Sequence, residues 1–212
     1  QAVTNSPFAQ TWTRAAGAFW AARSEIRCQR PENVGILLKK ALKYPNTFYG
    51  LIAARQLGIN TNFNWALPVL LEDAFNKIRT LPGIKRAIAL DQIGDDVTAD
   101  TELRLVWNRR QTQKRETIIA LAAHLNLPAS QALISRTSED VINLPHSVLY
   151  PIPDWIPEEG FSVDKALLFA IMRQESYFRP TAKSGAGAMG LLQLMPDTAS
   201  YITKDRTLRN SN

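Results

Sequence analysis

Cysteine is almost absent from this 212-residue chain. Cys28 stands alone, so no disulfide forms within the chain and the fold must rest on packing. Histidine is nearly as scarce. His124 and His146 are far apart and lack zinc-ligand spacing, so the sequence implies no metal site and no cofactor. No apolar run approaches the ~20 residues of a membrane-spanning helix, so no span is expected. Alternating β-branched runs, the mark of strands, are missing. No secretory leader precedes Gln1, and the chain reads as processed or internal.

What is present is helical patterning and positive charge. Hydrophobic residues make up 45% of the chain, enough for one or two compact cores. Phe19, Trp20, Ala21 and Ala22 belong to one amphipathic stretch, in which Trp12 and Trp20 are expected in the core. Val34 to Leu42 forms another, with Ile36, Leu37, Leu38, Ala41 and Leu42 apolar. Tyr44-Pro45-Asn46-Thr47 is a turn in which Thr47 can cap a helix from Phe48 to Leu57, ended by Gly58. Short helices joined by short turns predict an all-α chain, either a solenoid of paired helices or an ordinary bundle. His124 is expected at a core edge and His146 in a connector, with Trp155 a packing residue. The net charge of +6 and the pI near 9.6 point to a polyanionic partner.

The chemistry concentrates near the C-terminus. Residues 163–176 read as a helix capped by Ser162 or Asp164. Leu167, Leu168 and Ile171 form an apolar stripe, and one more turn reaches Glu175. A glutamate at the inner end of a core-facing stripe is partly desolvated, which disfavours the anion and suits a general acid. By spacing alone the alternative, a helix-terminal glutamate bent out to solvent, is the commoner outcome. Pro180 then forbids continued helix. Ser184-Gly185-Ala186-Gly187-Ala188-Met189-Gly190 is a turn of small residues that runs into Leu191-Leu192-Gln193-Leu194-Met195, too apolar for a free linker. Gln193, flanked by apolar residues, needs hydrogen-bond partners, so it either staples the loop or faces a ligand. Pro196 fits the first turn of a further helix, with Asp197 a helix-end charge.

Taken together, Glu175, Ser176, Phe178, Pro180, Ala182, Ser184, Gly190, Leu191, Leu192, Gln193, Met195, Pro196, Thr198 and Ala199 resemble, without a gap, the motif of the first family of soluble lytic transglycosylases. That family has a goose-lysozyme-like catalytic domain. Leu192 stands where methionine is usual, a volume-conserving swap. Tyr150-Pro151-Ile152-Pro153-Asp154-Trp155-Ile156-Pro157 and Arg173-Gln174-Glu175-Ser176 look like the family's passage into that domain. The N-terminal helices look, more diffusely, like its superhelical region.

The resemblance implies an all-α architecture: a superhelical segment over residues 1–81, a helical linker domain over 82–149, and the first part of a lysozyme-like domain over 150–212. It implies a periplasmic enzyme whose partner is the glycan strand of peptidoglycan. Glu175 would be the single acid/base, with Ser184, Gln193 and Met195 in the sugar-binding groove. Most glycosidases use two carboxyl groups, whereas this family uses one, and no second carboxylate has an obvious partner position near Glu175. Family members continue into an Ala-Tyr-Asn-Ala-Gly motif whose tyrosine closes the site. No Tyr-Asn-Ala-Gly occurs here, and the chain reads as truncated at its C-terminus.

Two rival classes remain. Residues 118–136 pattern as a helix-turn-helix around Asn126, preceded by the cations Arg109, Arg110, Lys114 and Arg115. Its second helix offers base edges little beyond Gln131 and Arg136, so a plain helical hairpin is the preferred reading and no nucleic-acid partner is expected. The other rival is a non-catalytic wall-binding scaffold that docks further cell-wall proteins.

Overall fold

The computed structural model describes residues 9–108, 114–137 and 144–210. Among these, every regular element is a helix, and β pairing is confined to isolated bridges. The chain divides into two compact units, Gln1–Phe63 and Asn64–Asn212.

The first unit holds α1 (Thr11–Arg27), a short 3-10 turn (Pro31–Asn33), α2 (Val34–Leu42) and α3 (Phe48–Gln56). Ala15, Ala18, Phe19 and Ala22 recur at helical spacing and bury one face of α1. That face packs with Leu37, Leu38 and Ala41 of α2 and with Ala53 of α3. Thr47 caps α3 as its sequence predicts: its hydroxyl oxygen accepts from Gly50 N at 3.1 Å, and Gly58 follows the helix at φ +69°. Gly50 is required for a different reason, because a Cβ there would lie 2.0 Å from Tyr44 O. The tryptophans depart from expectation. Trp12 is 55% and Trp20 57% exposed, since the small alanines own the buried stripe. Trp20 keeps one anchor, donating from Nε1 to the Tyr49 hydroxyl at 3.1 Å.

The second unit begins with an irregular strap, then α4 (Glu72–Ile78), α5 (Pro82–Gln92), α6 (Asp96–Asn108), α7 (Arg115–His124), α8 (Pro128–Arg136), α9 (His146–Leu149), α10 (Lys165–Glu175), α11 (Pro196–Thr203) and a 3-10 turn (Arg206–Asn210). Side chains of α9 and the end of α7 fix the strap. Ser147 Oγ donates to Ala66 O at 2.7 Å, Asn64 N donates to His146 Nδ1 at 3.0 Å, and His124 Nε2 lies 3.2 Å from Pro68 O. The main core gathers Ile78, Ile84, Leu103, Ile118, Ile119, Leu127, Ile134 and Val148. A second core gathers Phe169, Met172 and Phe178 with Ala129 and Ala132. Helix α8 contributes to both: Ile134 to the first, Ala129 and Ala132 to the second.

This double burial decides the helix-turn-helix question. Asn126 does form the turn, at φ +52°. Gln131, however, is buried and donates to Ala122 O at 3.4 Å, so it cannot reach a base edge. Arg136 stacks on the Tyr177 ring at 4.7 Å. Arg109 and Arg110 lie outside the described residues. The plain hairpin is what forms.

Burying α8 creates a polar problem at its N-terminus, and Asp100 of α6 solves it. Its carboxylate accepts from Ala129 N at 2.9 Å, from Ser130 N at 2.7 Å and from the Ser130 hydroxyl. Asp100→Ala would orphan both buried N–H groups, each costing about 1–3 kcal/mol. We expect a loss of about 3 kcal/mol in the free energy of unfolding by denaturant titration, within that range for two donors. Burial pushes the Asp100 carboxyl above its usual 3.8, against the pull of Ser130, Arg104 and Ala129. The folded chain therefore holds this proton to higher pH than the unfolded chain. The contribution to stability is full below 3.8 and falls as pH rises through the raised value. Asp100→Asn, which stays neutral, should lack that fall. Thermal melts of the two proteins should shift in favour of the variant as pH climbs just above 3.8.

Candidate active site

Helix α10 starts where its cap demands: Asp164 Oδ1 accepts from Ala166 N at 2.7 Å. Arg173 ties the helix to the proline-containing connector, donating from Nε to Leu149 O at 2.9 Å and lying 4.9 Å from the Tyr150 ring centroid. Glu175 is the last residue of α10. Its surroundings differ from the sequence expectation. The buried face of α10 is Phe169 and Met172, continuing into Ser176. The face of Leu167, Ile171 and Glu175 points to solvent, with Leu167 56% and Ile171 40% exposed. Of the expected stripe, Leu168 packs against the second core while Leu167 and Ile171 do not, because both faces of α10 carry large apolar residues and spacing alone cannot rank them. Burial by the described residues therefore does not desolvate Glu175.

After Glu175 the backbone turns sharply. Ser176 is fully buried and returns its hydroxyl to Met172 O at 3.0 Å. Tyr177 and Phe178 then adopt left-handed conformations in succession, at φ +51° and +60°. Two such residues without glycine are strained, and the surroundings must hold them. Phe178 is held by its ring, 1% exposed and edge-on to Trp155 and Phe169 at 6.2 and 6.4 Å. Burying a Phe side chain is worth about 1.5–3 kcal/mol, comparable to the strain. Trp155 is thus a packing residue, as expected.

The small-residue turn is ordered by hydrogen bonds. Ser184 N donates to Ala188 O at 2.9 Å, while Ser184 Oγ accepts from Ala188 N at 3.0 Å. Met189 and Leu194 exchange both backbone bonds, at 3.0 and 3.1 Å. Gly190 turns the chain at φ +76°, a region that favours glycine. Gln193, itself at φ +48°, donates from Nε2 to Ala182 O at 3.0 Å and to Gly190 O at 2.9 Å. Of the two readings open for this amide, its nitrogen takes the staple. Met195 precedes α11 as its N-cap residue and is 42% exposed, while Asp197 sits in the first turn. Asp197 pairs with Arg209 at 3.3 Å on the open surface, where such a pair contributes little.

The backbone of residues 182–195 therefore brings Ser184, Gln193 and Met195 into one cross-bonded loop, joined to Glu175 through the Tyr177–Phe178 turn. Five cavities of the second unit have other linings, and Glu175, Ser184, Gln193 and Met195 border none of them. Glu175 stands on an open face. Sequence reasoning missed the left-handed pair, for which no glycine gives a signal.

The arrangement defines a class: a helical chain whose last part has a lysozyme-like fold. The 70 kDa soluble lytic transglycosylase of Escherichia coli superposes with TM-score 0.68 at 20% identity, over 93% of this chain and 32% of that one. An inactive mutant of the lytic transglycosylase Slt from Pseudomonas aeruginosa gives 0.67 at 21% identity, over 93% and 33%. Residues 156–212 match the family described as the transglycosylase SLT domain. A soluble lytic murein transglycosylase of Salmonella typhimurium is 27% identical over 166 residues, which are 77% of this chain and 25% of that relative. The chain is thus similar to soluble lytic transglycosylases in fold, and its residues 156–212 match their SLT domain. It spans about a quarter to a third of the length of these relatives.

The staple has a measurable consequence. Gln193→Leu keeps the volume and deletes both side-chain donors. Amide exchange at Gly190 and Gln193 should accelerate by about tenfold, the equivalent of one lost hydrogen bond, with exchange in α7 and α8 unchanged. Unaltered protection of the turn by NMR hydrogen exchange would refute the staple.

Proposed function

We propose that the chain is part of a peptidoglycan lytic transglycosylase that cleaves the β-1,4 bond between N-acetylmuramic acid and N-acetylglucosamine. Glu175 is its single acid/base. Ser184, Gln193 and Met195 contact the sugars. The observation that carries this reading is the uninterrupted motif from Glu175 to Ala199, inside the segment that matches the SLT domain. The inactive Pseudomonas aeruginosa mutant has glutamine in place of a glutamate, which is consistent with one decisive carboxyl in that relative.

The chemistry follows from one carboxyl group. Protonated Glu175 gives its proton to the glycosidic oxygen as the C1–O bond breaks. The substrate's N-acetyl group assists at C1. The resulting carboxylate takes the proton of the muramic 6-hydroxyl, whose oxygen closes on C1. A 1,6-anhydro sugar forms, no water is consumed, and Glu175 ends protonated for the next cycle. The reaction needs no redox partner.

The same reading makes residues 1–81 a superhelical segment, 82–149 a linker domain and 150–212 the first part of the catalytic domain. It places the protein in the periplasm, among the glycan strands. The surplus of cations suits a wall that carries stem-peptide and lactyl carboxylates.

The decisive experiment compares wild type with Glu175→Gln, in the protein as its cell makes it, on purified sacculi. Release of 1,6-anhydromuropeptides, followed by mass spectrometry, should drop at least about a hundredfold, with co-sedimentation unchanged. Release at the wild-type rate would sink the assignment of Glu175.

A further inference from the structure

Three arginines from three elements meet around one cavity of about 310 Å³: Arg104 of α6, Arg136 at the end of α8, and Arg179 after α10. Ala129, Leu133 and Tyr177 complete the lining. Like charges repel, and a fold that gathers three of them needs compensation. The described residues supply little. Among the described residues, the one ion pair of these arginines is Arg104–Asp100, at a long 3.9 Å, and the Asp100 carboxylate is already engaged by the N-terminus of α8. Asp95 and Asp96 line the adjoining cavity, of about 290 Å³, and form no ion pair with any of the three.

The guanidiniums are also pre-oriented. Arg104 is one-fifth exposed and donates from Nε to Asp100 O and from one terminal nitrogen to Thr101 Oγ1. Arg179 donates from Nε to Ser176 O at 3.0 Å. The Arg136 guanidinium carbon sits 4.7 Å from the ring centroid of Tyr177, the first residue of the left-handed pair. Each contact fixes a planar fork while sparing other N–H groups, which is the preorganisation that oxyanion recognition requires. The left-handed turn thus has a second effect: it presents Tyr177 to Arg136 while Phe178 enters the core.

We infer that the cavity bounded by Arg104, Arg136, Arg179 and Tyr177 binds the free carboxylate of a short peptide. The guanidiniums take the carboxylate, and the ring of Tyr177 with Leu133 and Ala129 takes an adjacent small side chain. An inorganic anion would leave that apolar wall unused. The volume suits one or two small residues, near the lower end of ligand pockets. The source of the peptide rests on the proposed function, in which stem peptides of the wall carry such carboxylates. Glu175 does not line the cavity, so this is a place to hold a stem peptide apart from the acid.

The test is titration of the 212-residue chain, by NMR and calorimetry, with N-acetyl-alanyl-alanine as free acid, with its C-terminal amide, and with inorganic phosphate. The free acid should bind with shifts at Tyr177 and Leu133. The amide and phosphate should bind at least about tenfold more weakly, the cost of one charge-assisted contact. Arg136→Gln and, separately, Arg179→Gln should each weaken the acid by about tenfold with unchanged thermal stability. Equal binding of acid and amide, binding of phosphate as tight as the acid, or indifference to both substitutions would overturn the inference. Glu175→Gln separates the two readings. It should leave peptide binding intact, so a failed carboxylate titration leaves anhydromuropeptide release to be judged by itself.

Discussion

Helix α8 opens with two buried N–H groups, and one carboxylate, Asp100 of α6, answers both. The second unit depends on this contact because α8 belongs to two cores. Its Ile134 completes the cluster of α4 to α9, and its Ala129 and Ala132 form the floor beneath Phe169, Met172 and Phe178. A helix buried on both sides cannot satisfy its first turn with water. The acceptor must come from the protein, and a charged one placed at the positive end of the helix dipole is strong. The alanines matter as much as the acid: larger side chains at 129 and 132 would hold the aromatic cluster off the helix.

That floor positions the candidate site. Phe178 is drawn into the aromatic cluster, and the backbone accepts two left-handed residues to let it in. The same turn releases Glu175 at the tip of α10 and starts the loop that Gln193 closes. The order of cause runs from Asp100 to α8, from α8 to Phe178, and from Phe178 to the placement of Glu175. The arginines follow as a by-product of the same geometry. Arg104 flanks Asp100, Arg136 ends α8, and Arg179 leaves the turn, so the three cations converge on one cavity.

Local features were legible in the sequence wherever the determinant was a short-range hydrogen bond or a backbone preference. Thr47 as the cap of α3, a cap of α10 at Ser162 or Asp164 (Asp164 is the one that forms), the turn at Asn126 and Pro196 at the start of α11 are all read from single residues and their neighbours. The all-α class followed from the same signals. Failures came where several apolar faces competed. Trp12 and Trp20 lost the core to alanines that pack closer. Leu167 and Ile171 lost it to Phe169 and Met172. Gln131, a candidate reader of bases by pattern, proved to be buried with its amide on Ala122 O.

By itself the sequence determined the helical class, the caps, and the identity and spacing of the chemical groups from Glu175 to Ala199. Those properties reside in residue types and in bonds spanning a few positions, so no partner element is needed to express them. Only the tertiary structure decided which face of α10 is wet, which role the Gln193 nitrogen takes, and which cations share a pocket. Each of these depends on what lies opposite in space, set by burial of whole elements rather than by neighbours along the chain. The Asp100 contact is the clearest case: an acid in α6 and two amides in α8, some thirty residues apart, meet only because both helices pack into one core.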